Sequence, residues 1–308
     1  MKIFVTGATG FIGTAIVQEL ISEGYQVLGL TRSDAGAKSL SAAGVEVLRG
    51  DLEDLESLRR GAAAADGVIH TAFIHDFSKF KENCEIDRRA IEALGSALVG
   101  SDRPLIVTSG TLIVGPTPGR LSTEDDPPYC GPGAAPRFAS EEAGASLAGR
   151  GVRVSVIRLP QIHDPEKQGL VTFAIAVALE KGISIYVGDG ANRWSAAHRL
   201  DTAHLYRLVL EKGVAGARYN AVAEEGVTFR EIAHAIGRRV HVPVVSKSPE
   251  EAGAHFGWLA HFVAMDAPAS SERTRKLLGW QPKHTGLIAD LDAAQYFEPG
   301  TGRATAAR

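Results

Sequence analysis

A chain of 308 residues, 44% hydrophobic and 22% charged, has the length and balance of one large α/β domain or one domain with a smaller cap. A formal net charge of −3 excludes the basic excess that nucleic-acid and membrane surfaces call for, so a small-molecule partner is expected, with no nucleic acid and no membrane. Two cysteines, Cys84 and Cys130, form neither a CxxC pair nor a disulfide framework, and the apolar run Ile3-Phe4-Val5 stops at Gly7, short of a signal peptide; a cytoplasmic protein is expected.

In chain order, short apolar runs at 3–5, 27–30, 45–48, 68–70, 105–107 and 152–157 predict strands. Between them, 11–23, 35–43, 55–63 and 82–99 predict helices. Strand–helix alternation with near-unbroken apolar strands implies a parallel sheet covered on both faces. The fold class is therefore α/β, a Rossmann-type doubly wound parallel sheet with a smaller C-terminal substrate lobe. After Pro160 strands become sparse, and 169–180, 201–211 and 228–239 predict helices, with another ending before Gly279-Trp280-Gln281-Pro282. Residues 1–160 are expected to form the dinucleotide-binding domain. Residues 161–298 form a mainly helical lobe with segments returning to the sheet, and 299–308, lacking large apolar residues, form a flexible tail.

Gly7-Ala8-Thr9-Gly10-Phe11-Ile12-Gly13 follows the first strand directly and opens a helix. The first glycine permits a tight turn, the second admits a pyrophosphate and the third lets helix and strand pack closely, while helix N–H groups face the anion. A glycine-rich turn without ligand is the alternative. Arg32 stands just past the second strand, where NAD-specific sites usually place an acid, and suits a 2′-phosphate with Ser33 as donor and Lys38 as second cation. Asp34 nearby argues for the ribose instead, and a solvated arginine is the bland reading. NADP(H) is expected ahead of NAD(H). Asp51 and Leu52 after the third strand, and Thr71, Ala72 and Phe73 after the fourth, lie at carboxyl ends where open sheets bind ligands.

Gly7 to Gly13, Gly50-Asp51-Leu52, His70-Thr71-Ala72 and Leu278-Gly279-Trp280-Gln281-Pro282 together resemble the extended short-chain dehydrogenase/reductases, the group holding nucleotide-sugar epimerases and dehydratases. The resemblance runs over nearly the whole chain, 1–292. It implies hydride chemistry by a Ser/Thr, Tyr and Lys trio, the lysine lowering the pKa of a tyrosine acid/base. Here Arg137 stands at the tyrosine place, Glu141 at the lysine place and Gly110 at the serine place, flanked by Ser109 and Thr111. No Tyr-x-x-x-Lys occurs in the sequence. The chain thus resembles atypical members that keep the fold without the standard trio, some of them reductases with other proton donors and some redox sensors. A homodimer through the fourth and fifth helices is what the resemblance implies.

Arg137 and Glu141 lie one helical turn apart and are expected to pair, either as a surface ion pair or with Arg137 on the cofactor or a substrate anion. Ser109 or Thr111 would polarise a substrate oxygen. Tyr129, in a Pro/Gly-rich loop, and His75, beside Asp76, are the candidate proton donors, set against ordinary loop residues. Leu159 and Pro160 end the sixth strand and are expected to border the nicotinamide. His163, Arg193, Trp194 and His198 are expected on the substrate side, His198 alternatively as a structural residue opening a helix. The ten histidines show no metal-ligand spacing, so no metal is expected. Two functions remain open: an NADPH-dependent oxidoreductase acting on a small carbonyl or alcohol, or a non-catalytic NADP(H)-binding redox sensor.

Overall fold

The computed structural model describes residues 1–115, 119–131 and 133–293; the tail expected over 299–308 lies outside them. The first half alternates as read: β1 (Lys2–Thr6), α1 (Phe11–Ser22), β2 (Gln26–Thr31), α2 (Asp34–Ala42), β3 (Glu46–Arg49), α3 (Leu55–Ala63), β4 (Gly67–His70), α4 (Phe80–Ser96), β5 (Pro104–Gly110), α5 (Phe138–Gly149) and β6 (Arg153–Leu159). There follow β7 (Gln161–His163), α6 (Val171–Lys181), β8 (Ser184–Val187), β9 (Arg193–His198), α7 (Arg199–Lys212), β10 (Arg218–Asn220), β11 (Glu224–Thr228), α8 (Phe229–Val240) and β12 (Val244–Lys247). Short helices α9 (Pro249–Phe256), α10 (Ala260–Val263), α11 (Glu272–Leu278) and α12 (Leu287–Ala293) close the described chain.

Among the described residues seven strands form one sheet in the order β10-β6-β5-β4-β1-β2-β3, every pairing parallel. Alternation along β1 sends Ile3 and Val5 to one face, packed with Ile16, Leu20, Tyr206 and Trp280, and Phe4 to the other, packed with Leu58, Val68, Ile91 and Leu147. Each such side chain contributes about 1.5–3 kcal/mol when fully buried. The chain leaves β1 toward β2 on one side and returns through β4 on the other. Between β1 and β4 the strand order reverses, and the crevice outside their carboxyl ends is the natural ligand position.

The second half carries more strand than its pattern predicts. β11, β9 and β7 form a small sheet and β12 pairs with β8. These strands have three to six residues and mix polar with apolar positions, so no long apolar run announces them. Val171, Ile175, Trp194, Phe229, Ile232 and Leu291 belong to a third core. Residues of α7 and β10 instead pack with the main sheet. Among the described residues no helix is long and apolar enough to cross a membrane.

Candidate cofactor and active site

The loop after β1 is shaped by collisions that side chains would make. Gly7 has φ +70°, and a Cβ there would lie 2.7 Å from the Ala72 nitrogen and 2.8 Å from Thr71 Oγ1. A Cβ on Gly13 would clash with the Gly7 carbonyl oxygen. Thr71 Oγ1 donates to the Thr6 carbonyl at 2.8 Å, and the Ala72 N–H donates to Thr6 Oγ1 at 3.3 Å, so β1 and β4 are tied where the crevice opens. Gly10 caps α1 without a side-chain hydrogen bond, and the first turn holds no acid. By contrast α2 and α3 are capped by Ser33 and Asp54. Thr9 and Gly10 are exposed, and Phe11 and Ile12 are half-buried. Open N–H donors, a favourable dipole and the bare, exposed backbone of Gly10 suit a dinucleotide's phosphates.

Arg32 follows β2 with its side chain exposed and no ion-pair partner among the described residues. Ser33 accepts from the Gly36 N–H at 3.0 Å, and Lys38 is exposed on α2. Arg49, which the sequence reading missed, ends β3, donates to the Arg32 carbonyl at 3.2 Å and pairs with Asp34 at 2.9 Å. Asp51 closes a turn by accepting the N–H groups of Glu53 (2.8 Å) and Asp54 (2.9 Å), and Leu52 is buried.

At the carboxyl ends of β4 and β5 a polar network replaces backbone with side chains. Thr6 Oγ1 meets His70 Nδ1 at 2.7 Å, and His70 Nε2 meets Asp87 Oδ1 at 3.0 Å. Arg137 donates to Asp87 Oδ2 at 2.5 Å, to Ser140 Oγ at 2.8 Å and to the Thr108 carbonyl at 3.0 Å, with its guanidinium 4.0 Å above the Phe73 ring. Ser140 Oγ also donates to Asp87 at 2.7 Å. Burial alone would raise the Asp87 pKa, but Arg137, His70 and Ser140 together hold the carboxyl at about 2. Thr108 Oγ1 joins the His70 carbonyl (2.6 Å) to the Tyr206 hydroxyl (2.7 Å), whose own pKa burial pushes up. Beside them Ser109 Oγ is buried with no hydrogen-bond partner among the described residues, and Thr111 Oγ1 has only long contacts, 3.4 Å to Ser195 Oγ and 3.5 Å to the Leu159 carbonyl.

The model of the NAD dependent epimerase/dehydratase family matches residues 3–222. The chain belongs to this family. An uncharacterised protein of Schizosaccharomyces pombe is 48% identical over 302 residues, covering 96% of this chain and all of that one. A 2-alkyl-3-oxoalkanoate reductase of Stenotrophomonas maltophilia is 27% identical over 267 residues, 80% of this chain and 78% of that one. The dTDP-glucose 4,6-dehydratase of Streptomyces venezuelae, solved with NAD bound, shares the fold at a TM-score of 0.75 and 21% identity, covering 95% and 96% of the two chains. The family works on small molecules with NAD(P), as oxidoreductases, epimerases and dehydratases.

Within that family frame the expected Arg137–Glu141 pair does not form. Glu141 turns inward from α5 and holds Arg158 of β6 in a fully buried bidentate pair at 2.7 and 2.8 Å. Arg137 is the cap residue before α5, so helical i, i+4 spacing does not govern its side chain. Its partners, Asp87 and Ser140, carried no sequence signal beyond an acid on the fourth helix.

The candidate proton donors stand apart. Tyr129 is exposed, packs on Gly115 and donates its N–H to the Ile113 carbonyl at 2.8 Å. His75 stands edge-on to Phe73, with centroids 5.4 Å apart. Crowding by the protein and the cations Arg137 and Lys167 hold its pKa below the ordinary imidazole value. Phe77, next along, stacks on Trp258 at 4.4 Å and 9° and meets Phe173 and Phe262 edge-on, an aromatic bridge between the β4 loop and the lobe that the sequence reading missed. Its signal was the spacing Phe73, Phe77, Phe80.

On the substrate side two expectations change. Trp194 is 3% exposed, packs on Phe229 and donates to the Phe262 carbonyl at 3.2 Å, so it belongs to the lobe's core and covers nothing. Arg193 is bound by Asp266 through Nε (3.0 Å) and a terminal nitrogen (2.9 Å). His198 caps α7, accepting the Leu200 N–H at 3.2 Å, and stacks on His284. Asp201 bonds the stacked His284 at 2.8 Å. His163 is buried against Asp290 at 2.7 Å, and Leu159 and Pro160 are half-buried at the end of β6.

Proposed function

We propose that the chain is an NADPH-dependent reductase or dehydrogenase of a small carbonyl or alcohol, working without the standard tyrosine. The observation that carries this reading is the unpartnered, buried Ser109 hydroxyl at the end of β5, next along the strand from Thr108, whose carbonyl Arg137 holds. The nicotinamide, when bound, supplies or takes the hydride at its C4 position. Gly7, Gly10 and Gly13 with the N-terminus of α1 hold the phosphates, and Thr71, Ala72, Phe73, Leu159 and Pro160 border the ring. Arg32 favours the 2′-phosphate because Asp34, the acid that would suit a ribose, is engaged by Arg49. Ser109, with Thr111, orients the substrate oxygen. Arg137 stays cationic and supplies charge, since a guanidinium does not release its proton in this pH range. His75, edge-on to the Phe73 ring over which Arg137 lies, is the proton donor in this reading.

The test is titration of the protein with NADPH and NADH, followed by NADPH oxidation against aldehydes, ketones and enones. NADPH binding well ahead of NADH, with turnover, supports the reading. Reduction then slows as pH rises through the His75 pKa, below 6.5, and His75→Gln removes that limb. Equal affinity for both cofactors defeats the role given to Arg32. Tight NADPH binding with no turnover on any substrate replaces the reductase by a redox sensor.

A further inference from the structure

The geometry points to a second phosphate contact carried by the lobe: Lys167, backed by Arg199, binds the diphosphate of the cofactor across the crevice from the glycine loop. This rests on the family's use of NAD(P) and not on the reductase reading or the choice of NADPH.

The segment after β7 is built to present that lysine. Asp164 is buried, and its Oδ1 accepts the N–H groups of Glu166 (2.7 Å) and Lys167 (2.8 Å), while its own N–H donates to the Lys167 carbonyl at 2.9 Å. Gln168 fastens the far side by donating to the Asp164 carbonyl at 2.8 Å. A turn held by four hydrogen bonds fixes where the Lys167 side chain starts. Lys167 is exposed, yet its Nζ lies 5.8 Å from the centroid of Phe11, the first residue of α1. The ammonium therefore stands beside the start of α1, next to the glycine loop, with no carboxylate in ion-pair range among the described residues.

Arg199, the first residue of α7, approaches the same place from the side. Its guanidinium lies 5.2 Å from the Phe11 centroid, and its Nε lies 2.6 Å from Asp164 Oδ2. One carboxylate thus spaces both cations, neutralising Arg199 and leaving Lys167 uncompensated. Arg199 and Asp164 form the frame and Lys167 is the contact. The Phe11 ring receives both cations beside the positive end of α1, and a diphosphate held there is an anion that Lys167, the uncompensated one, is placed to meet.

The test is calorimetric titration with ADP-ribose, which has the diphosphate and lacks nicotinamide, alongside fluorescence titration with NADPH. Lys167→Ala weakens both ligands by the same factor, about tenfold, the scale of one hydrogen bond to a charged group. Lys167→Glu weakens both further, Lys167→Arg restores affinity to within about threefold, and added salt narrows the gap between variants. Because Lys167 is exposed, the melting temperature without ligand stays unchanged in each. ADP-ribose affinity within twofold of the parent in Lys167→Glu overturns the inference. So does a loss seen with NADPH alone, which would move the lysine to the nicotinamide or the 2′-phosphate. A chain that binds ADP-ribose but reduces nothing leaves this inference standing while the reductase reading falls.

Discussion

The glycine loop and the start of α5 lie on the same carboxyl edge of one sheet and are made in opposite ways. At the loop, backbone does the work: Gly7 and Gly13 stand where a Cβ would strike main chain, and the donors are the uncapped N–H groups of α1. At α5, side chains do it: Arg137 is gripped by Asp87 from one helix, Ser140 from another and the Thr108 carbonyl of β5. A backbone site admits almost no change in residue type. A side-chain site can keep its position while its chemistry is exchanged, and here an arginine stands where the family resemblance puts a tyrosine.

The largest expected effect is on the side-chain region. Arg137→Met leaves the Asp87 carboxylate buried without its cation and lowers unfolding free energy by about 3–5 kcal/mol, read by urea denaturation. Arg137→Lys recovers part of it. A loss below about 1 kcal/mol would mean that His70 and Ser140 suffice to hold Asp87, and the contrast with the loop would weaken.

Next comes the loop. Gly13→Ala forces main chain apart and weakens ADP-ribose binding by about 10–100-fold, the range expected of an overpacked contact. Gly149→Ala, with open space around its Cβ, changes nothing and serves as control. Unchanged affinity in Gly13→Ala would show that the loop can shift and is not fixed by sterics.

The smallest effect is pH-dependent. The folded Asp87 pKa of about 2 lies below its ordinary 3.8, so its ionised form adds stability above about pH 4, and that contribution fades as pH falls through 2. The shift corresponds to roughly 2 kcal/mol. The stability gap between the parent and Asp87→Asn should therefore shrink from pH 6 to pH 3 in denaturant titrations, and a gap that stays constant would show that the carboxyl is not held low.

The same contrast explains what the sequence disclosed. Gly7 to Gly13 could be read because the constraint is local: seven consecutive residues carry strand end, turn and helix start. Cores followed the same logic, since Ile3 to Val5, Val68 to Ile69 and Leu105 to Val107 are short unbroken apolar runs, all buried. Arg137 was given the wrong partner, because Asp87 is fifty positions away and only packing of α4 against α5 brings it near. Lys167 and the Phe77–Trp258 stack were invisible for the same reason, each joining segments that meet only after the lobe folds onto the sheet. Trp194 misled because a tryptophan near an arginine looks like a substrate clamp until its burial is known.

β10 has a further consequence, for how the protein is made. The chain leaves the sheet after β6, builds β7, α6, β8 and β9, and only then returns through α7 to lay β10 along β6. Until residue 220 has emerged from the ribosome, β6 is an open edge with unpaired backbone groups, the kind of surface on which nascent chains aggregate. The lobe in turn is assembled from segments on both sides of β10, so no single cut divides the molecule into two pieces that each fold.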